Sequence, residues 1–150
     1  MSELLLRATR VIPAKDGAGQ PAGDTIALTW DERHRRRIRM QTTGGTEFLL
    51  DLAHAVALAD GDRLVLDDGT EVLVQARPET VADIVAADSE TLTRIAWHLG
   101  NRHWPTQILG NTLRIPYDHV LVEMIAGLGG RVERREAPFQ PEGGAYAHEH

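Results

Sequence analysis

Asp88-Ser89-Glu90-Thr91-Leu92-Thr93-Arg94-Ile95-Ala96-Trp97-His98-Leu99-Gly100-Asn101-Arg102-His103-Trp104-Pro105 is the stretch that sets the fold of the second half of the chain. Leu92, Ile95, Ala96 and Leu99 stand at i, i+3, i+4 and i+7, one apolar face of a helix, and Asp88 or Ser89 suits the cap of its first turn. Glycine accepts the left-handed conformation that ends helices and proline cannot continue one, so Gly100 is expected to stop this helix. His103 then sits on the stiff corner that leaves it, between Gly100 and Pro105.

Working outward, Val81–Ala87 reads as a strand before the helix. After it, Thr106–Leu109 and Thr112–Pro116 flank Gly110-Asn111, a two-residue hairpin turn. Asp118 can cap a second helix with Leu121, Met124, Ile125 and Leu128 on its apolar face and Gly129 at its end. Arg131–Glu136 supplies a last strand. The resulting order β-α-β-β-α-β is the ferredoxin-like unit, expected over residues 78–138. Upstream, residues 1–77 alternate short apolar runs with turn signals. Candidate strands are Leu4–Val11, Thr25–Trp30, Arg36–Gln41, Glu47–Asp51, Arg63–Leu66 and Glu71–Ala76, and Asp68-Gly69 is the clearest hairpin signal. Six short strands with close turns make a small all-β module, barrel or sandwich. The fold class expected is therefore α+β: a β-rich domain over 1–77, the ferredoxin-like domain over 78–138, and a flexible tail over 139–150 that is rich in Pro, Gly and Ala.

Bulk properties narrow the function. The chain has 150 residues, 42% of them hydrophobic, which fits a soluble globular protein. Its apolar runs are too short to span a bilayer, and its first residues lack the pattern of a secretory signal. The absence of cysteine rules out a disulfide framework and fits the cytoplasm, the expected location. A formal net charge of −6 argues against a general nucleic-acid binder, because phosphate contacts need excess cations. The Arg33–Arg39 run is the one basic stretch. The predicted ferredoxin-like strands Thr106–Leu109 and Arg131–Glu136 contain no aromatic residue for base stacking, so the run reads as a solvated strand face or a docking patch for an acidic protein. No Gly-rich phosphate loop, His-Glu-x-x-His helix or nucleophile elbow occurs, so an enzyme is not expected.

The histidines carry what chemistry there is. Imidazole without thiolate points to a borderline metal such as nickel, zinc or copper(II). His103 has two readings: a side chain that caps the carbonyls of the helix before it, or a metal ligand. One imidazole makes no site by itself. A two-fold dimer removes that difficulty, because a residue near the axis meets its own copy. His119, at the start of the second helix beside Asp118, is either an ordinary helix-start residue or an auxiliary ligand. His148 and His150 form a short His-x-His tail, either a plain terminus or a mobile chelator that raises the ligand count and leaves again. His34, inside the basic run, His54 and His98 read as structural or solvent-facing.

His98-Leu99-Gly100-Asn101-Arg102-His103, Asp118-His119-Val120-Leu121 with Met124 and Leu128-Gly129, and Pro138-Phe139-Gln140-Pro141-Glu142-Gly143-Gly144-Ala145-Tyr146 together resemble the urease accessory protein E family of nickel metallochaperones. The resemblance spans the whole chain. It implies a homodimer that binds Ni²⁺ between its C-terminal domains through His103 of each subunit, with His148 and His150 completing the coordination. Where some relatives carry a second histidine this chain has Tyr117, so only His119 remains of a subsidiary pair. It implies delivery of nickel to the urease accessory GTPase and onward to the urease apoprotein complex. It also implies that the β module is a peptide-binding-like domain. Zinc and copper(II) are expected to substitute in vitro, since copper(II) outcompetes nickel at most nitrogen sites. A surface histidine near a two-fold axis also permits a higher oligomer around one metal. No nucleic acid and no membrane are expected as partners. A metal-independent protein-interaction module is the competing reading. A zinc-dependent hydrolase ranks below it, because a mobile tail holds catalytic geometry poorly.

Overall fold

The computed structural model describes residues 5–17 and 20–143. The chain divides into two compact units, Met1–Arg77 and Pro78–His150.

In the first unit, residues alternate between core and solvent with the period of two that a pleated strand imposes. Its strands are β1 (Leu6–Ile12), β2 (Asp24–Leu28), β3 (Arg37–Gln41), β4 (Glu47–Asp51), β5 (Arg63–Leu66) and β6 (Glu71–Ala76). Phe48 and Leu50 of β4, Leu64 and Leu66 of β5, and Val72 and Val74 of β6 point inward, each at most 3% exposed. They form one sheet in the order β2-β6-β5-β1-β4-β3. It is mixed, because β1 runs parallel to β4 and β2 parallel to β6. Its two edge strands meet at one end: the Thr43 amide donates to the Thr25 carbonyl at 2.8 Å, and the Gly44 amide to Asp24 Oδ1 at 3.1 Å. The sheet is a half-closed barrel, the first of the two shapes open to a six-strand module. A short helix, α1 (Ala14–Gly17), joins β1 to the segment before β2.

The basic run departs from expectation. Thr29 and Glu32 form a reciprocal capping box, with Glu32 Oε1 accepting from the Thr29 amide at 2.8 Å. That box nucleates a helical turn, α2 (Trp30–Arg33), so the strand expected to reach Trp30 ends at Leu28. The turn swings Arg33 inward, where it is 2% exposed. Its guanidinium donates to the carbonyls of Leu28 and Leu58, both at 3.3 Å. The run is therefore no continuous solvated strand, and His34 ends the helical turn as its C-cap.

The second unit has the order β7 (Glu79–Ala86), α3 (Ser89–Asn101), β8 (Gln107–Leu109), β9 (Thr112–Pro116), α4 (His119–Gly127) and β10 (Gly130–Ala137). Its sheet order β10-β7-β9-β8, antiparallel throughout, is the ferredoxin-like arrangement. Both helices start where expected. Asp88 Oδ1 accepts from the Thr91 amide at 2.7 Å. Asp118 Oδ1 accepts from the amides of Val120 and Leu121 at 2.9 and 3.1 Å. Ile95 and Leu99 of α3 and Leu121 and Ile125 of α4 pack on Ala82, Ile84, Leu113 and Ile115 of the sheet. Each fully buried aliphatic side chain contributes roughly 1.5–3 kcal/mol. Gly130 leaves room for side chains of both helices against β10, because an added Cβ would lie 2.7 Å from Ile125 Cγ2 and from Ile95 Cδ1.

The first residues of the expected flexible tail, 139–143, are held in place, and the rest of it, 144–150, lies outside the described residues. Phe139 is fully buried. The Gln140 amide donates to Gln107 Oε1 at 2.9 Å, and the Glu142 amide to the Thr106 carbonyl at 2.7 Å. Residues 139–143 are thus a packed segment of the second unit. No helix among the described residues is long and apolar enough to cross a membrane.

Candidate metal centre

The expectation that Gly100 ends α3 is corrected by the structure. The helix runs through Gly100 to Asn101, Arg102 is its C-cap, and the left-handed residue is His103, at φ 56°. Two hydrogen bonds define the ending. The His103 amide donates to the Gly100 carbonyl and the Trp104 amide to the Leu99 carbonyl, both at 3.0 Å. This is the Schellman pattern, with His103 in the place that glycine usually takes. Trp104 lies against the core cluster that contains Leu99, which supplies the apolar contact the motif needs. His103 is the only residue other than glycine with positive φ among the described residues. Its side chain is exposed. A left-handed conformation costs an L-residue about 1–2 kcal/mol relative to glycine. Such strain at an exposed position gives the imidazole a fixed place that a glycine could not occupy chemically.

The path of the chain assembles the rest. β7 and β8 run one way across the sheet, β9 and β10 the other, and each helix returns between them. The end of α3, the start of α4 and the end of β10 therefore share one end of this unit. His103 follows α3 there, and exposed His119 opens α4 beside its capping Asp118. Tyr117, two residues before His119, is held under the Arg134 guanidinium, 4.4 Å from the ring centre. His148 and His150 lie outside the described residues. The segment leading toward them reaches the same end, since the Glu142 amide is bonded to Thr106, three residues after His103.

The remaining histidines sit apart from this arrangement. His98 stacks edge-on against Trp97, ring centres 5.1 Å apart, on the α3 surface. His54 is exposed in a loop and His34 caps α2, both in the first unit. Among the described residues of one chain, no three His, Asp or Glu side chains are grouped to hold a metal. A site at His103 needs ligands from a second copy or from residues beyond Gly143.

Behind this end lies a charged cluster that sequence reasoning missed. On the sheet face opposite the helices, Asp83 is 7% exposed. It accepts from Arg114 Nε at 2.7 Å and Nη2 at 3.0 Å, and from Arg135 Nη1 at 3.1 Å. The hydrogen bonds from Arg114 hold the Asp83 carboxyl below the usual carboxylate range, against the opposing effect of burial. Arg114 also donates from Nη1 to the Pro138 carbonyl at 3.0 Å. Asp83 falls midway along β7, where strand periodicity alone reads it as a solvent-facing residue.

Known proteins resemble the chain over its whole length. The profile of the UreE urease accessory protein N-terminal domain matches residues 8–77, and that of its C-terminal domain matches residues 79–150. A "Urease accessory protein UreE" of Rhodopseudomonas palustris (strain HaA2) is 56% identical over 131 residues, covering 87% of this chain and 61% of that protein. The protein of that name from Bradyrhizobium sp. (strain ORS 278) is 54% identical over 143 residues, 95% of this chain and 68% of its own length. That of Rhodobacter capsulatus is 48% identical over 143 residues, covering 95% of this chain and 88% of its relative. With both domain profiles matched in order and these identities sustained across two folded units, the chain belongs to the UreE family of urease accessory proteins.

Proposed function

We propose that the chain is a cytoplasmic nickel metallochaperone without catalytic activity of its own. As a homodimer it binds Ni²⁺ at the subunit interface through His103 of each copy. It then passes the ion through the urease accessory GTPase to apo-urease. The observation that carries the reading is the left-handed conformation of His103, an exposed imidazole kept at φ 56° where glycine would be less strained. The entry of the C-terminal segment beside Thr106 supports His148 and His150 as additional ligands. Eight residues separate Glu142 from His150, a reach of up to about 28 Å in extended chain. The placement of His119 at the same end supports it as an auxiliary ligand.

The mechanism follows from an open shell. Two imidazoles leave most of the coordination sphere of nickel vacant, and tail imidazoles on a short tether fill it at high effective concentration. Such ligands leave one at a time, so a partner can add its own donors before the ion is free. Selectivity over zinc and copper(II) does not come from imidazole, whose nitrogen favours copper(II). It depends on which metal is available and on which partner docks. The test is equilibrium dialysis of Ni²⁺ with sedimentation velocity on wild type and His103→Ala. Tight binding by a dimer, lost in the variant with the fold retained, is the expected result. Unchanged tight binding in His103→Ala, or a wild-type monomer at all nickel concentrations, refutes the proposal.

A further inference from the structure

We infer that Gly100 is left without a side chain so that helix α3 of a second copy can approach it, with the exposed Trp97 ring of each copy seated over Gly100 of the other. The inference rests on the homodimer reading above and deepens it.

Inside its own chain Gly100 has no reason to be glycine. It lies within α3, which runs on to Asn101, and its φ is not positive. Only proline is less favourable than glycine in such a place. A Cβ built on Gly100 would meet nothing within 4 Å among the described residues. Gly130 is the opposite case, since a Cβ there would lie 2.7 Å from Ile125 Cγ2 and Ile95 Cδ1, and packing within the unit explains it. Gly100 is exposed instead. Packed helices lie about 8–10 Å apart according to the side chains at their contact, so a bare position lets another backbone come close.

Trp97 stands one turn earlier. Residues three apart share a helix face, and side chains lean toward the helix N-terminus, so the ring leaves Gly100 uncovered. Trp97 is 63% exposed, which leaves about 100–150 Å² of its surface to be covered. An interface of standard size takes about 800 Å² from each partner, and tryptophan leads the residues that carry its binding energy. Val120, in the first turn of α4 and 58% exposed, extends the apolar surface at the same end of the unit.

A second copy is the occupant that matches both features. A two-fold axis sets one patch against itself, residue i on j and j on i. A ring and a bare turn on one helix then make two identical contacts. His103 follows Gly100 by three residues, so the same approach carries the two imidazoles toward the axis. One chain alone groups no three metal ligands among its described residues. Gly127 supplies a control: it is equally open, but it ends α4 at the other end of the unit, and α4 carries no tryptophan, tyrosine or phenylalanine.

The experiment follows dimer dissociation by sedimentation equilibrium, with and without Ni²⁺. The samples are the full chain, Gly100→Ala, Gly100→Leu, Trp97→Ala, Trp97→Ala with Gly100→Leu, and Gly127→Leu. Alanine and leucine are better helix formers than glycine, so circular dichroism should show the fold retained at position 100. Expected are a wild-type dimer, association weaker by about tenfold or more in Gly100→Ala, and a larger loss in Gly100→Leu. Nickel affinity falls in step. Trp97→Ala also weakens association by at least about tenfold. In that background Gly100→Leu costs less than it does alone, because the ring it would displace is gone. Gly127→Leu dimerises as the wild type does. Undiminished association in Gly100→Leu overturns the inference and leaves the homodimer standing. Strictly additive losses in the double variant overturn it too, because the two residues then do not meet. A dimer that responds as expected but binds no Ni²⁺ upholds the contact and sinks the nickel reading. A wild type that stays monomeric at every nickel concentration overturns the homodimer and the contact together.

Discussion

Replacing His103 by glycine and by alanine separates strain from chemistry. Both variants lose the imidazole and everything its ring contacts, but alanine keeps a Cβ at φ 56° and glycine does not. The left-handed conformation costs an L-residue about 1–2 kcal/mol. Glycine's greater freedom in the unfolded chain offsets about 0.4–1 kcal/mol of that. His103→Gly is thus expected to be about 0.5–1 kcal/mol more stable than His103→Ala. For a unit the size of Pro78–His150, that difference raises Tm by about 2–8 °C. Thermal melts followed by circular dichroism without metal measure it, and Ni²⁺ calorimetry on the same samples reads function. Both variants should lose tight nickel binding alike, so that the two differ in stability and not in function. If glycine proves no more stable than alanine, no strain is stored at this corner. If glycine stabilises while nickel affinity stays at the wild-type level, His103 is a helix-ending residue only.

Two further perturbations test the frame around the site. Gly130→Ala places a Cβ 2.7 Å from Ile125 Cγ2 and Ile95 Cδ1, and overpacking of this kind is expected to cost about 1–3 kcal/mol in a urea melt. An unchanged midpoint would show that the two helices yield at no cost. Asp83→Asn breaks a buried ion pair, with an expected loss of about 3 kcal/mol at neutral pH. Because the native carboxyl titrates below its unfolded value, its stabilisation is complete above the unfolded pKa of about 4 and disappears as pH falls through the lower native value. The gap between wild type and variant should therefore close below about pH 4, and a gap constant down to pH 2 refutes the assignment.

Much of the architecture was legible in the sequence because it is written in local chemistry. Asp88 and Asp118 cap helices through their own side chains, and Asp68-Gly69 and Gly110-Asn111 are turns that few other residues allow. Strands β4, β5 and β6 start and stop where alternation between apolar and polar residues does. The misreadings share one cause, the override of local pattern by distant partners. Arg33 looks solvent-facing until the Thr29–Glu32 box turns it toward the carbonyls of Leu28 and Leu58. Pro138–Gly143 has the composition of a loose terminus, yet Gln107 and Arg114, far back in sequence, tie it down. At the corner after α3, composition favoured Gly100 as the helix stop, and only the backbone shows that His103 takes that part. Of the candidate site, His103 and His119 are proposed from the chain, and the structure places both at one end of the second unit. Asp83 and Arg114 could not be picked out that way, because pairing across strands is invisible to a linear reading.

The stitch between Thr25 and Thr43 bears on how this protein coexists with its neighbours. An open sheet offers two free margins, each a template on which a foreign strand can add and start a growing aggregate. By drawing β2 and β3 toward each other, the first unit lets each margin occupy part of the other. A urease accessory protein, which works among the other proteins of urease maturation, is served by a sheet with fewer places to stick.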